Sequence, residues 1–225
     1  MTVQGTEVEI DISFGDILDV IDFGVMSQFE LRRGKIGFYF DPLYLKVSGD
    51  EGSSGGAQVD YEIKTSFLDF GVLYRLVEIP LDDSFDSTER ARRSLFALDL
   101  YGGGRYFYMK TEMDIKGAGP LGADKSLEQT EDFVDPIVGT KMAYYLGKKF
   151  TIAFKGDIGG FDVNSDFMWN VQGILGYDFK LGKKKGTFGI GYRALDLDFA
   201  EGDVFSRFAL DITMSGPLLG VRIVF

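Results

Sequence analysis

The chain contains neither cysteine nor histidine in its 225 residues. The first absence removes a disulfide framework and any thiolate metal site. The second removes the commonest metal ligand and every triad or dyad built on an imidazole, so no metal, cofactor or catalytic group is proposed from composition and no enzyme is expected. Proline is scarce, at five residues, which leaves long unbroken strands open to the chain. No window approaches eighteen consecutive apolar residues, so no transmembrane helix is expected. Basic stripes are missing as well. The formal charge is −11, and binding a polyanion needs clustered cations that release counterions, so no nucleic-acid partner is expected. The first residues, "MTVQGTEVEIDISF", lack a charged region followed by an apolar one and do not read as a signal peptide. In an exported protein they would be a mature or re-engineered start.

Glycine, at 30 residues, and aromatics, at 15%, are plentiful. Both suit strands that approach one another closely. At this length a single all-β domain, residues 1–225, is the expectation. In "FMWNVQGILGYDFKL", Phe167, Trp169, Val171, Leu175, Tyr177, Phe179 and Leu181 alternate with a set that includes Asn170, Gln172, Asp178 and Lys180. Period two marks a strand whose two faces meet different surroundings. The pattern recurs over 6–14, 23–31, 36–44, 68–76, 96–108, 134–146, 150–158, 188–192 and 219–225, about ten strands in all. It changes phase after Arg193 and again near Ser215 and Gly216. Either a β-bulge stands at each place, or the outer half of those strands lies beyond the band where alternation is enforced.

Which face points inward is read from charge. The polar set carries Glu30, Asp41, Asp69, Asp99, Arg105, Asp135, Lys141, Lys155, Asp157 and Arg193 near mid-strand, while the apolar set is nearly free of charge over the same depth. A soluble lipocalin-like barrel would have the opposite arrangement. The apolar set is long enough for the 9–11 residues that cross a bilayer on a tilted strand. Connections also sort by length. "RRG", "GKK" and "GKKKG" fall at one end, and "GDEGSSGGAQ", "KGAGPLGADKSLEQTE" and "AEGDVFS" at the other, with 77–94 and "NSD" fitting less neatly. The expected fold is therefore a single up-and-down antiparallel transmembrane β-barrel, ten strands with eight as the alternative. The lipid bilayer is its partner, because lipid offers no hydrogen bonds to an open sheet edge.

The chain ends "LGVRIVF", which resembles the C-terminal signature of bacterial outer-membrane β-barrels. "FGDILDVIDFGVM", "DFVDPIVGTK", "KGDIGGFDVNSDFMWNVQGILGYDF", "GYRALDLDF" and "MSGPLLGVRIVF" together resemble a family of small Gram-negative outer-membrane barrel proteins across most of the chain. That resemblance implies a location in the bacterial outer membrane and recognition of Phe225 by the insertion machinery. The family has a longer first strand than the segment 2–14 found here. Outer-membrane barrel enzymes resemble one another in needing a catalytic histidine, which this chain lacks.

Two readings of the inward charges follow. They could line a path and select small solutes by charge, or they could form an ion-paired core, since a barrel of eight to ten strands is about filled by its own side chains. On the second reading Arg105, Lys141, Lys155 and Arg193 each touch an acid. The functional expectation is a structural or narrow-pore outer-membrane protein with a charged, largely filled lumen. The alternative is a barrel that binds a lipid or small apolar ligand at its mouth. Asp50, Glu51, Asp124, Glu131 and Asp132 read as solvated loop charge without EF-hand spacing. "GDILDVID" reads as an apolar anchor at a barrel mouth, and "STERARRS" as a solvated connection.

Overall fold

The computed structural model describes residues 2–3, 6–7, 21–52, 58–80, 94–116, 124–146, 149–181, 184–201 and 208–224. "STERARRS" up to Arg93, most of "GDILDVID" and Phe225 lie outside the described residues. The elements are β1 (Thr2–Val3), β2 (Thr6–Glu7), β3 (Ile21–Met26), β4 (Phe29–Arg33), β5 (Ile36–Gly52), β6 (Gln58–Pro80), β7 (Ser94–Lys116), β8 (Lys125–Leu146), β9 (Phe150–Gly160), β10 (Phe167–Leu181), β11 (Lys184–Glu201) and β12 (Phe208–Val224). Ten of them, β3–β12, make an all-antiparallel up-and-down sheet that curls into a half-barrel, with β3 and β4 end to end along β5. β1 continues the sheet past β12, pairing Thr2 with Ala209, and β2 follows it. Residues 8–20, which join that edge to β3, lie outside the described residues.

Curling is tight. Lys155 on β9 reaches Asp41 on β5 at 2.8 Å, and Gln28 between β3 and β4 donates to Gln172 Oε1 on β10 at 3.2 Å. Glycine pairs admit the curvature. Gly71 and Gly103 are direct partners on β6 and β7, and a Cβ on Gly103 would collide with the Phe70 carbonyl oxygen, one on Gly71 with that of Gly102. Strand stagger fits a tilted sheet. The pairing line Phe38, Val72, Gly102, Val138, Ile158, Trp169 begins beside Ile36 at the hairpin end of β5, yet on β10 lies far from Phe179 at that end. A drift of roughly one to two residues per strand corresponds to strands tilted by about 35–45°.

The faces are disposed as the charge pattern predicts. Outward stand Phe38, Phe40, Phe70, Val72, Tyr74, Ile152, Leu175, Ile190 and Val221, with Phe38 64% exposed. Inward and buried stand Asp69, Asp99, Arg105, Lys155, Asp157, Asn170 and Gln172. The exposed side chains form an apolar belt around the hairpin half of the sheet.

Strand ends depart from the alternation reading. β5 runs to Gly52, β8 starts at Lys125 and β11 runs to Glu201, so parts of the segments expected as long loops are strand. Asp50, Glu51, Glu131 and Asp132 accordingly sit on strands and not in loops. The two phase changes are not bulges either, because β11 and β12 pair without a break from Lys185–Val224 to Glu201–Phe208. Polarity inverts instead. Beyond the belt Leu195, Leu197, Ile212 and Met214 face inward among buried apolar groups, while Asp196, Asp198 and Thr213 lie on the outward side. The bulges that do occur are between Ile21 and Phe23 and between Arg75 and Val77, with a further irregularity at Ile79/Pro80.

Candidate functional site in the charged interior

The interior is built in three layers. At its centre Arg105, with a side chain 0% exposed, forms a two-point contact with Asp69, Nε to Oδ1 at 2.6 Å and Nη2 to Oδ2 at 2.8 Å, and its Nη2 lies 3.0 Å from Asp157 Oδ1. β6 and β7 deliver Asp69 and Arg105 as direct cross-strand partners, while Asp157 comes from β9, in register with Gly139 and Tyr101. Tyr101 OH donates to Asp157 Oδ2 at 2.6 Å, and Asn170 Nδ2 donates to the same oxygen at 2.7 Å. Lys155 pairs with Asp41 at 2.8 Å and lies 3.5 Å from Asp69, its ammonium over the rings of Tyr101 and Tyr39 at 5.2 and 5.7 Å. The layer holds three acids, Asp41, Asp69 and Asp157, and three bases, Arg105, Lys155 and Arg193. Each carboxylate in such a place is desolvated, which a fork-shaped guanidinium offsets best.

Toward the hairpin end a second network joins strands far apart in the sheet. Arg32 bonds Asp99 through two nitrogens at 2.8 and 3.1 Å and Glu30 at 2.9 Å. Arg75 also binds Asp99, and reaches Glu78 at 3.3 Å. Lys141 binds Glu30 at 2.7 Å. At the opposite end the third layer is apolar: Phe67, Phe107, Ile137, Met168, Leu195 and Leu197 are buried together, with Phe107 centred 5.1 Å from Phe67 and 5.0 Å from Phe133. The charged layers stand at the centre and toward the hairpin end, and the apolar layer at the opposite end.

Two of the ten predicted charges stand outside the ion pairs, Arg193 against expectation. Arg193 touches no acid among the described residues. Its Nε donates to Asn170 Oδ1 at 2.6 Å and Nη1 lies 3.2 Å from Met26 Sδ, because the Asn170 amide stands between the guanidinium and Asp157. Asp135 is buried but binds no cation among the described residues. It accepts from Ser165 N at 3.0 Å, Ser165 Oγ at 2.5 Å and Asn164 N at 2.9 Å, anchoring the turn after β9 where Phe161 and Asp162 adopt φ of 56° and 57°. The left-handed backbone there is unfavourable for such residues, and the Asp135 clamp offsets it. The other eight lie in the two networks. Residues outside the ten, Arg32, Arg75, Tyr39, Tyr101 and Asn170, complete them. Tyr39, Tyr101 and Asn170 face inward, but as neutral groups they gave no charge to count.

A further ladder stands on the outward side, past the belt. Lys46, Lys64 and Lys110 are direct cross-strand partners, and Glu62, Glu112 and Glu128 form the next row. Glu62 binds Lys46 at 2.7 Å and Lys64 at 2.5 Å, and Lys110 binds Glu112 at 2.6 Å and Glu128 at 3.0 Å. Hydrogen bonds from Lys46 and Lys64 hold the Glu62 carboxyl at about 2. A depressed acid stabilises the fold above its unfolded value and loses that share as pH falls toward its folded value. The urea midpoint of the protein should therefore exceed that of Glu62→Gln at neutral pH by a small margin, as exposed pairs do. The gap should close between pH 4.5 and 2, and a gap that persists at pH 2 would rule the ladder out as its source.

No protein-family model, curated protein or solved structure matches the chain. The site is described by its own geometry. Among the described residues no group of acids is placed to share a metal ion. Among the described residues two shallow grooves are lined mostly by side chains of the outer face, one around Pro42 and one around Leu31 and Phe38.

Proposed function

We propose that the chain is a β-barrel of a bacterial outer membrane, its apolar belt against lipid and its lumen closed by its own ion-paired side chains. It serves as a membrane-embedded structural protein and not as a catalyst or an open pore. One observation carries this reading. A sheet whose exposed face is aromatic and aliphatic, and whose buried face holds Asp69, Arg105, Asp157 and Lys155, has the polarity of a protein dissolved in hydrocarbon. Water would favour the reverse arrangement, with the belt inside.

The inversion at Leu195 and Leu197 supports the same reading. Past the belt the sheet takes the polarity expected in water, apolar inside and charged outside, as strands do when they project beyond a bilayer. With eight of the ten inward charges engaged in ion pairs, a diffusing ion would meet matched partners and not an open ring of one sign. Recognition of Phe225 by the insertion machinery belongs to this proposal.

The test is conductance of the purified protein refolded into a planar bilayer, with insertion verified independently by heat-dependent gel mobility. The wild-type protein should show no steady discrete current. Regular conductance steps, altered by Asp99→Ala, would replace the closed lumen with a selective path. Full solubility without detergent would end the membrane reading itself.

A further inference from the structure

We infer that the hairpin end of the sheet is a docking surface for the phosphates of net-anionic phospholipids, formed by a rim of cations that no acid neutralises at the edge of the apolar belt. The inference rests on the membrane reading above. In a chain of formal charge −11, a basic end is a local exception. Gly34, at φ 62°, turns β4 into β5 and leaves Arg33 and Lys35 on either side of the tip. Lys149 stands just before β9, and its carbonyl accepts the Asp178 N–H at 2.6 Å, which ties that hairpin to β10. Lys180 and Lys185 are direct partners where β10 meets β11, and Lys184 lies opposite Leu181. Arg222 adds a further cation from β12, in register with Thr187.

Charge and level identify the occupant. Arg33, Lys35, Lys149 and Arg222 are exposed, and among the described residues none of them is paired with an acid. Glu78 and Asp178, the acids on β6 and β10 at this end, bind Arg75 at 3.3 Å and the Thr187 hydroxyl at 2.7 Å. The connection 81–93 is close to neutral, with four acids and three bases. At the far end, by contrast, Lys46, Lys64, Lys110 and Lys116 each bind an acid. The belt sets the height of the rim. Lys35 is followed by Ile36, Lys149 by Phe150, and Arg222 stands between Val221 and Ile223, all four apolar residues being exposed. The Lys149 ammonium lies 5.9 Å from the centre of the Tyr177 ring, which packs edge-on against Phe150 at 5.5 Å. Aromatic rings at the end of an apolar band mark the level where hydrocarbon gives way to headgroups, and cations just beyond them meet lipid phosphate. A groove of about 440 Å³ includes Leu31, Ile36 and Phe38 in its wall together with Arg33. Free phosphate would use only the guanidinium, whereas a phospholipid uses the apolar wall as well.

The experiment measures the association of spin-labelled phosphatidylglycerol and spin-labelled phosphatidylcholine with the full chain in vesicles, from the motionally restricted part of the spectrum. Phosphatidylglycerol should associate about threefold more strongly at low salt. That preference should vanish in about 1 M salt, where the screening length is about 3 Å, and inorganic phosphate at equal ionic strength should weaken it no more than chloride does. Arg33→Gln, Lys35→Gln, Lys149→Gln and Arg222→Gln together should bring the ratio to about one. Lys149→Gln and Arg222→Gln should each lower it in part, so the outcome does not hang on the folding of the fourfold variant. Lys46→Gln with Lys64→Gln and Lys110→Gln should leave it unchanged. Equal association of the two lipids, a preference that survives loss of the rim cations, or one lost with the far-end lysines overturns the rim while leaving the belt in lipid. Specific competition by inorganic phosphate overturns the lipid as its occupant. A spectrum with no restricted part for either label overturns the membrane reading as well.

Discussion

Replacing Arg105 by methionine is expected to cost about 3–5 kcal/mol, a large share of the stability of an average domain. The residue is wholly buried and, among the described residues, is the one base that contacts both Asp69 and Asp157. Methionine fills much of the volume but leaves two desolvated carboxylates whose remaining partners are Lys155, Tyr101 and Asn170. Lysine at the same position should recover only part of the loss, because a point charge cannot bond Asp69 at two atoms and Asp157 as well. Neutralising the acids together with the base should recover more: Asp69→Asn and Asp157→Asn in the Arg105→Met background remove the uncompensated charge that carries the penalty. Urea unfolding in vesicles, followed through the fluorescence of Trp169, reads all three. An Arg105→Met midpoint within experimental error of the wild-type value would mean that the central network contributes nothing to the fold.

The expected rescue separates two roles that the geometry alone leaves joined. A network kept for stability gains when it is replaced by matched neutral groups, whereas one kept to hold a unique register loses its specificity first. Arg105 reaches across β6 and β9 from β7, so slippage of any one of these strands would turn the partner carboxylate to the outer face. A triple variant that refolds with restored midpoint but broadened transitions would assign the network to register.

Much of this was legible in the sequence for a physical reason: side chains in a sheet alternate strictly, so a change of solvent on one face writes itself into every second residue. Phe38, Val72 and Ile152 against Tyr39, Asp69 and Lys155 show it directly. Strand ends were not legible where the outward face turns from apolar to polar. On β8 the outward set passes from Val138, Pro136 and Val134 to Asp132 and Glu128, and on β11 from Tyr192 to Asp196. The alternation persists there with its sense reversed, and a pattern read in one sense ends the strand too early. Partner choice was also out of reach. Arg105 lies directly between Asp69 and Asp135 in register, yet Asp135 is taken by the turn at Asn164 and Ser165, a contact set by a left-handed backbone that alternation does not report.

Arginine placed on the belt should be the second costly change. At Val72, midway along the outward face of β6 between Phe70 and Tyr74 and paired with Phe38 and Gly102, Val72→Arg is expected to lower stability in vesicles by about 2–4 kcal/mol, the cost of a guanidinium near the middle of a bilayer. The same residue at Thr130, outward on β8 beyond Asp132 and opposite Lys110, should change it by about 1 kcal/mol or less. Val72 is 46% exposed and Thr130 is exposed as well, so for a sheet surrounded by water both substitutions would fall within about 0.5 kcal/mol of neutral. The difference between the two positions therefore measures the solvent directly. Near-equal urea midpoints for the two variants would place water against the belt and leave the outward aromatics to be explained by another partner. A gap of several kcal/mol would make hydrocarbon the medium that the alternating pattern records.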